Sequence, residues 1–207
     1  MGLQATSKSF VLVLLGVVGM VFLAELYSPK SNHSDRLSDL GVVILPEPQE
    51  IHLNGLTTAG GDDFNLDSLA GHWSLIFFGF TNCPDICPIT MAAMAAAERL
   101  LDEPSAFQGI MVTVDPRRDT PARLSKYVKG FSERFIGVTG APERIRSFST
   151  SLGISQAKKY TSATDYNVDH SGHIVIVNPR GQHGGYVKTP HSGDTIASAI
   201  NALRRRG

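Results

Sequence analysis

An α/β fold around a central sheet is the architecture this 207-residue sequence predicts. Three observations predict it. Short, nearly continuous apolar runs at 73–80, 109–114 and 174–177 have the character of strands buried on both faces. Prolines at 88, 121 and 142 stand where helices would open between those runs. Asn178-Pro179-Arg180-Gly181 is a turn signature that joins the last run to a partner strand.

The elements follow in order. Ser9 to Ala24 has no charged residue and is rich in Val, Leu, Gly and Phe. With Leu26 and Tyr27 it reaches the roughly 17–25 residues a spanning helix needs. Ala24 is preceded by Leu23 and Phe22, so a small-x-small cleavage site is lacking, and no Cys follows for lipid attachment. Residues 1–27 are therefore expected to be an uncleaved membrane anchor, 28–45 a polar linker and 46–207 one soluble domain. An Arg-rich amphipathic presequence is absent, so the expected location is a bacterial inner membrane, crossed once, with the domain in the periplasm or otherwise outside the cytosol.

Trp73 to Phe80 is the first central strand. Thr90 to Leu101 is Ala-rich and helical, with Pro88 in its first turn. Gly109 to Val114 is the second strand. Thr120-Pro121 caps and opens a helix running to about Gly130. A short strand at 135–138 precedes a helix from Pro142 to about Gly153. Ile174 to Val177 pairs across the turn with a strand around 183–187, and Ser192 caps a last helix. A β-α-β unit, a second helical crossover and a closing hairpin plus helix fit a thioredoxin-like mixed sheet flanked by helices. Sites in such sheets form at the carboxyl ends of strands. Cys83 and Asp115 each follow a central strand closely, so both should lie on one rim.

Net charge is zero, with 19 basic and 19 acidic residues. That argues against a nucleic-acid partner, whose affinity would come mainly from phosphate neutralisation. The cysteines number two, Cys83 and Cys87. A pair so close closes too short a loop to staple a fold, so its use is chemical. Lying between a buried strand and a helix, the thiols are expected to be acidified by the helix N-terminus. Three residues separate them, a spacing that can close a disulfide and also suits two sulfurs on one soft ion such as copper, zinc or an iron–sulfur centre. The competing reading is two inert core cysteines, which the flanking prolines oppose.

Two thiolates leave a metal site incomplete. His170, in the loop expected to pass over the cysteines, is the candidate third ligand. His173 should face the other way by strand alternation. His183 and His191 are expected to be exposed. Met91 lies on the cysteine face of the helix, one turn on from Cys87, and Met94 a further turn along; core packing is the expected role of both.

At these residues the sequence resembles the Sco/SenC family. The resemblance is carried by Gly79-Phe80-Thr81-Asn82-Cys83-Pro84-Asp85-Ile86-Cys87-Pro88, by Val114-Asp115-Pro116-Arg117-Arg118-Asp119-Thr120-Pro121 and by Val168-Asp169-His170-Ser171, and covers about residues 45–205. It implies a thioredoxin-like fold and binding of one copper ion, as Cu(I) or Cu(II), by Cys83, Cys87 and His170. Asp115 is implied as a residue that tunes the site without binding metal. It further implies a role in maturing the binuclear copper centre of cytochrome c oxidase, whose copper-site subunit would be the partner, with a copper donor protein upstream. Asn82 departs from the His often seen there. Two activities compete: a metallochaperone without turnover, and a thiol–disulfide reductase in which Cys83 attacks and Cys87 resolves. A peroxidase is disfavoured, because Thr81 stands two positions before Cys83 rather than three.

Overall fold

The computed structural model describes residues 17–20, 37–160, 166–170 and 172–205; of 156–160 and 166–170 it describes the strand backbone. Residues 17–20 are helical, and the rest of the expected anchor lies outside the described residues. Among the described residues no helix is long and apolar enough to cross a membrane. Residues 1–36 form one unit and Leu37 onward a second.

The second unit holds an eight-stranded sheet. Its centre is β4 (Trp73–Gly79), β5 (Phe107–Thr113) and β6 (Ile136–Gly140), all parallel. Two crossovers join them, through α1 (Ile86–Leu100) and α2 (Pro121–Lys129). β9 (Ile174–Val177) runs antiparallel to β4, β10 (Gln182–Val187) antiparallel to β9, and β1 (Val42–Glu50) antiparallel to β10. On the far side β2 (Leu56–Thr58) pairs with β6 and with β3 (Asp63–Phe64). α3 (Pro142–Ser151) follows β6, and α4 (Gly193–Arg204) packs on α1. A separate hairpin is made by β7 (Gln156–Tyr160) and β8 (Tyr166–His170).

The apolar runs become the innermost strands because every residue of β5 and β9, and all of β4 but Trp73, is buried. Phe78 on β4 meets Phe148 on α3 at 5.5 Å between ring centroids. α2 and α3 begin at the prolines expected to open them, and Thr120 caps α2 by accepting from Arg123 N. The turn after β9 is an Asx-type turn: Asn178 Oδ1 accepts from Arg180 N and Gln182 N, each at 3.0 Å, and Gly181 takes a φ of 74°. Met91 and Met94 are fully buried and pack in the core.

Two features differ from the expectations. β1 starts at Val42, inside the segment read as linker, and hydrogen-bonds along β10. The two chains approach so closely that a methyl at Gly185 would stand 2.1 Å from Val43 O, so this bulge position admits only glycine. His183, expected to be exposed, is 6% exposed because it falls on the inward alternation of β10.

Candidate functional site

Parallel pairing of β4 with β5 puts Gly79 opposite Thr113, so the segments leaving both strands meet at one rim. Val114 N donates to Gly79 O at 2.9 Å, and Cys83 N donates back to Phe80 O at 3.2 Å, curling the chain into a tight loop before α1. Asp85 takes the N-cap position without a side-chain cap, Ile86 opens the helix and Cys87 follows.

The cysteines are free thiols of unequal exposure. Cys83 is half-buried and Cys87 is 0% exposed. Cys87 lies under β4: a methyl at Gly79 would be 3.1 Å from its sulfur. Burial pushes the Cys87 thiol well above its ordinary value; a backbone hydrogen bond at Phe80 pulls it back in part, and the side-chain hydrogen bond with Cys83 pushes it up again. The expected acidification by the helix N-terminus is thus overturned at Cys87, where desolvation is the larger effect. The same interaction places the two sulfurs within hydrogen-bonding reach of each other.

Two aspartates leave β5. Asp115, the tuning residue expected from the sequence, is fully buried, pairs with Arg118, and receives its backbone position from Thr113, whose Oγ1 accepts from Asp115 N at 3.0 Å. The Arg118 guanidinium in turn sits 5.9 Å from the Phe80 ring centroid. Asp119, which the sequence reading passed over, makes the direct tie to the cysteine loop. It accepts from Thr81 N at 3.0 Å, Thr81 Oγ1 at 2.6 Å and Thr113 Oγ1 at 2.7 Å. Asn82 Oδ1 accepts from Arg123 on α2 at 3.3 Å, a second tie from the same side.

Tyr127, also on α2, is a further residue that sequence reading missed. Its hydroxyl oxygen is buried and finds no hydrogen-bond partner among the described residues. Burial, then the neighbouring Cys87, Cys83 and Asp119, push its phenol above the ordinary range. Tyr127 therefore lies within electrostatic reach of both thiols. An aromatic in a helix reads as core from sequence, and only the fold turns it toward the cysteines.

His170 ends β8, opposite Gln156, and its side chain lies outside what is described. Two residues on, a methyl at Gly172 would stand 3.7 Å from Ile86 Cγ1, so the chain leaving β8 runs beside the cysteine loop. His173 stacks on Tyr186 at 5.4 Å between centroids. His191, expected to be exposed, is half-buried, with Nε2 2.6 Å from Gly172 O. Among the described residues, which leave out the His170 ring, no three His, Cys, Asp or Glu side chains gather as a metal site. Two sulfurs side by side, one in contact with solvent, form a soft-donor pair that can share an ion or oxidise to a disulfide.

A family model described as SCO1/SenC matches residues 53–205. A protein of Stutzerimonas stutzeri named for copper binding is 35% identical over 159 residues, which cover 74% of this chain and 76% of that one. The mitochondrial SCO1 homolog 1 of Arabidopsis thaliana is 29% identical over 199 residues, 93% of this chain and 59% of that protein, so this chain spans less than two thirds of its length. Among solved structures, Arabidopsis thaliana ScoI with copper bound superposes with a TM-score of 0.68 at 31% identity, covering 77% of this chain and 98% of that one.

Proposed function

The chain belongs to the SCO1/SenC family, and from that premise we propose that it is a copper metallochaperone holding one copper ion, its cargo, between Cys83, Cys87 and His170. The recipient would be the copper-site subunit of cytochrome c oxidase, with delivery from a domain tethered by residues 1–27 to the outer face of a bacterial inner membrane. The observation that carries the reading is a half-buried and a buried free thiol at one strand-to-helix junction, with the chain just past His170 beside Ile86 of that junction.

The chemistry of the donors supports it. A buried thiol resists ionisation because a lone thiolate there would be poorly solvated. A soft cation shared with Cys83 supplies the missing charge, so loading and deprotonation of Cys87 go together. Affinity should accordingly fall as pH falls, since protons compete for both sulfurs and the imidazole. Cys83, being half-exposed, is the sulfur from which an incoming thiolate would draw the metal.

The test is an anaerobic copper titration of the reduced protein and of His170→Ala. One copper per chain with a thiolate–Cu(II) absorption band is expected for the wild type. The variant should bind far more weakly and still form the Cys83–Cys87 disulfide. Undiminished copper affinity in His170→Ala would remove that residue from the ligand set.

One observation favours a second reading: an accessible thiol backed directly by a buried one. In a reductase, the Cys83 thiolate attacks a target disulfide, and Cys87 displaces the target's second thiol. The target disulfide is reduced to two thiols as Cys83–Cys87 is oxidised, with two protons passing across. This reading needs no His170, so the same variant separates the two.

A further inference from the structure

The segment after His170 is held from outside its own strand. His191 stands in the link between β10 and α4, and its Nε2 lies 2.6 Å from the Gly172 carbonyl oxygen. A carbonyl oxygen only accepts, so Nε2 carries the proton and donates. His191 is itself well anchored. The next residue, Ser192, caps α4 by accepting from Thr195 N at 3.1 Å. Gly193 then sits against α1 so closely that a methyl there would be 2.7 Å from Ala96 Cβ. α1 is the helix that opens with Ile86 and Cys87. The contacts therefore form a closed circuit, from Ile86 and Cys87 along α1 to Ala96, across to Gly193 and His191, through the hydrogen bond to Gly172, and back to Ile86.

We propose that His191 is a positioning residue for the metal site: by holding the Gly172 carbonyl it fixes the backbone two residues past His170 and so aligns that imidazole with the two sulfurs. The inference rests on the reading of His170 as third ligand. It gives a role to a histidine that strand and loop periodicity marks as incidental. β8 pairs only with β7 and not with the main sheet, so the His191 hydrogen bond is a tie to Gly172 from outside that hairpin.

The test uses the full chain, purified in mild detergent and reduced anaerobically, as wild type, His191→Gln, His191→Asn and His170→Ala. Glutamine places an amide nitrogen where Nε2 stands, whereas asparagine is too short to reach Gly172. Cu(I) affinity is read by competition with a chelator, and the Cu(II) form by absorption and electron paramagnetic resonance. His191→Asn is expected to weaken binding by roughly tenfold to a hundredfold, the range for losing a group that orients a ligand, and to alter the Cu(II) spectrum. His191→Gln should restore both. Wild-type affinity and spectrum in His191→Asn, with both lost in His170→Ala, would overturn the positioning role alone. Wild-type copper binding in His170→Ala as well would overturn the ligand assignment and this inference with it. A loss in His191→Asn that glutamine leaves unrepaired would also overturn it, by marking a general disturbance of the fold.

Discussion

Replacing Asp119 with alanine tests the clamp between the two rim segments. The carboxylate is 1% exposed and accepts three hydrogen bonds, from Thr81 N, Thr81 Oγ1 and Thr113 Oγ1. Thr113 is fully buried, so water cannot replace its lost acceptor; a buried donor left without a partner costs about 1–3 kcal/mol. Thr81 is half-buried, and water recovers part of its two bonds, leaving roughly 1–2 kcal/mol for the pair. Removing a buried carboxylate also relieves its desolvation, which trims the sum. The expected net loss is about 2–4 kcal/mol, a large share of the roughly 5–15 kcal/mol typical of a domain. Urea denaturation of the reduced, metal-free protein, followed by the fluorescence of its single tryptophan, Trp73, measures it. A second readout is the alkylation rate of Cys83, which should rise severalfold as the loop loosens. A variant within about 1 kcal/mol of wild type, with unchanged Cys83 reactivity, would refute the clamp.

Two further outcomes follow from the burial pattern. In the reduced protein near neutral pH, iodoacetamide should modify Cys83 well before Cys87, because Cys87 is buried and its thiol is pushed up; mass spectrometry of the digested product reads the order, and equal rates would contradict it. His183 and His191 are held below their ordinary values chiefly by burial, as is His173, where Lys188 adds to the effect. Each binds a proton more readily unfolded than folded, so the unfolded state takes up protons first as pH falls. Stability should therefore be full above about pH 6.5, drop as pH falls through that value, and level off below the folded-state values. Thermal denaturation of the metal-free protein across pH 5–8 should show this slope, and His183→Gln should flatten it; a slope unchanged in that variant would clear His183 of the effect.

How much of this was legible depended on burial. β4, β5 and β9 announce themselves because strands covered on both faces need unbroken apolar runs, and α2 and α3 because proline at a first helical position is both signal and cause. β2 and β3, of three and two residues, are too short to carry any period. β1 contains Pro46 and Pro48 and is largely exposed, so its sequence looks like linker while its main chain pairs with β10. At the site, the cysteine loop was legible from its place between strand and helix. Which aspartate turns toward it was not. Asp115 and Asp119 belong to one motif, and the turn in which Arg118 N and Asp119 N both donate to Asp115 O decides that Asp119 faces Thr81. His191 was misjudged for a similar reason, since its contact with Gly172 joins residues 19 apart in sequence.

The two ends of the main sheet share a property. At one stands β3, only two residues long; at the other stands β1, whose ladder breaks between Ile44 and Gln49 around two prolines and Glu47. Neither margin offers a run of free amides and carbonyls long enough to template another strand. At these two margins a second copy of the chain finds no long edge to zip onto. There, contact with other proteins is left to side chains rather than to main-chain pairing.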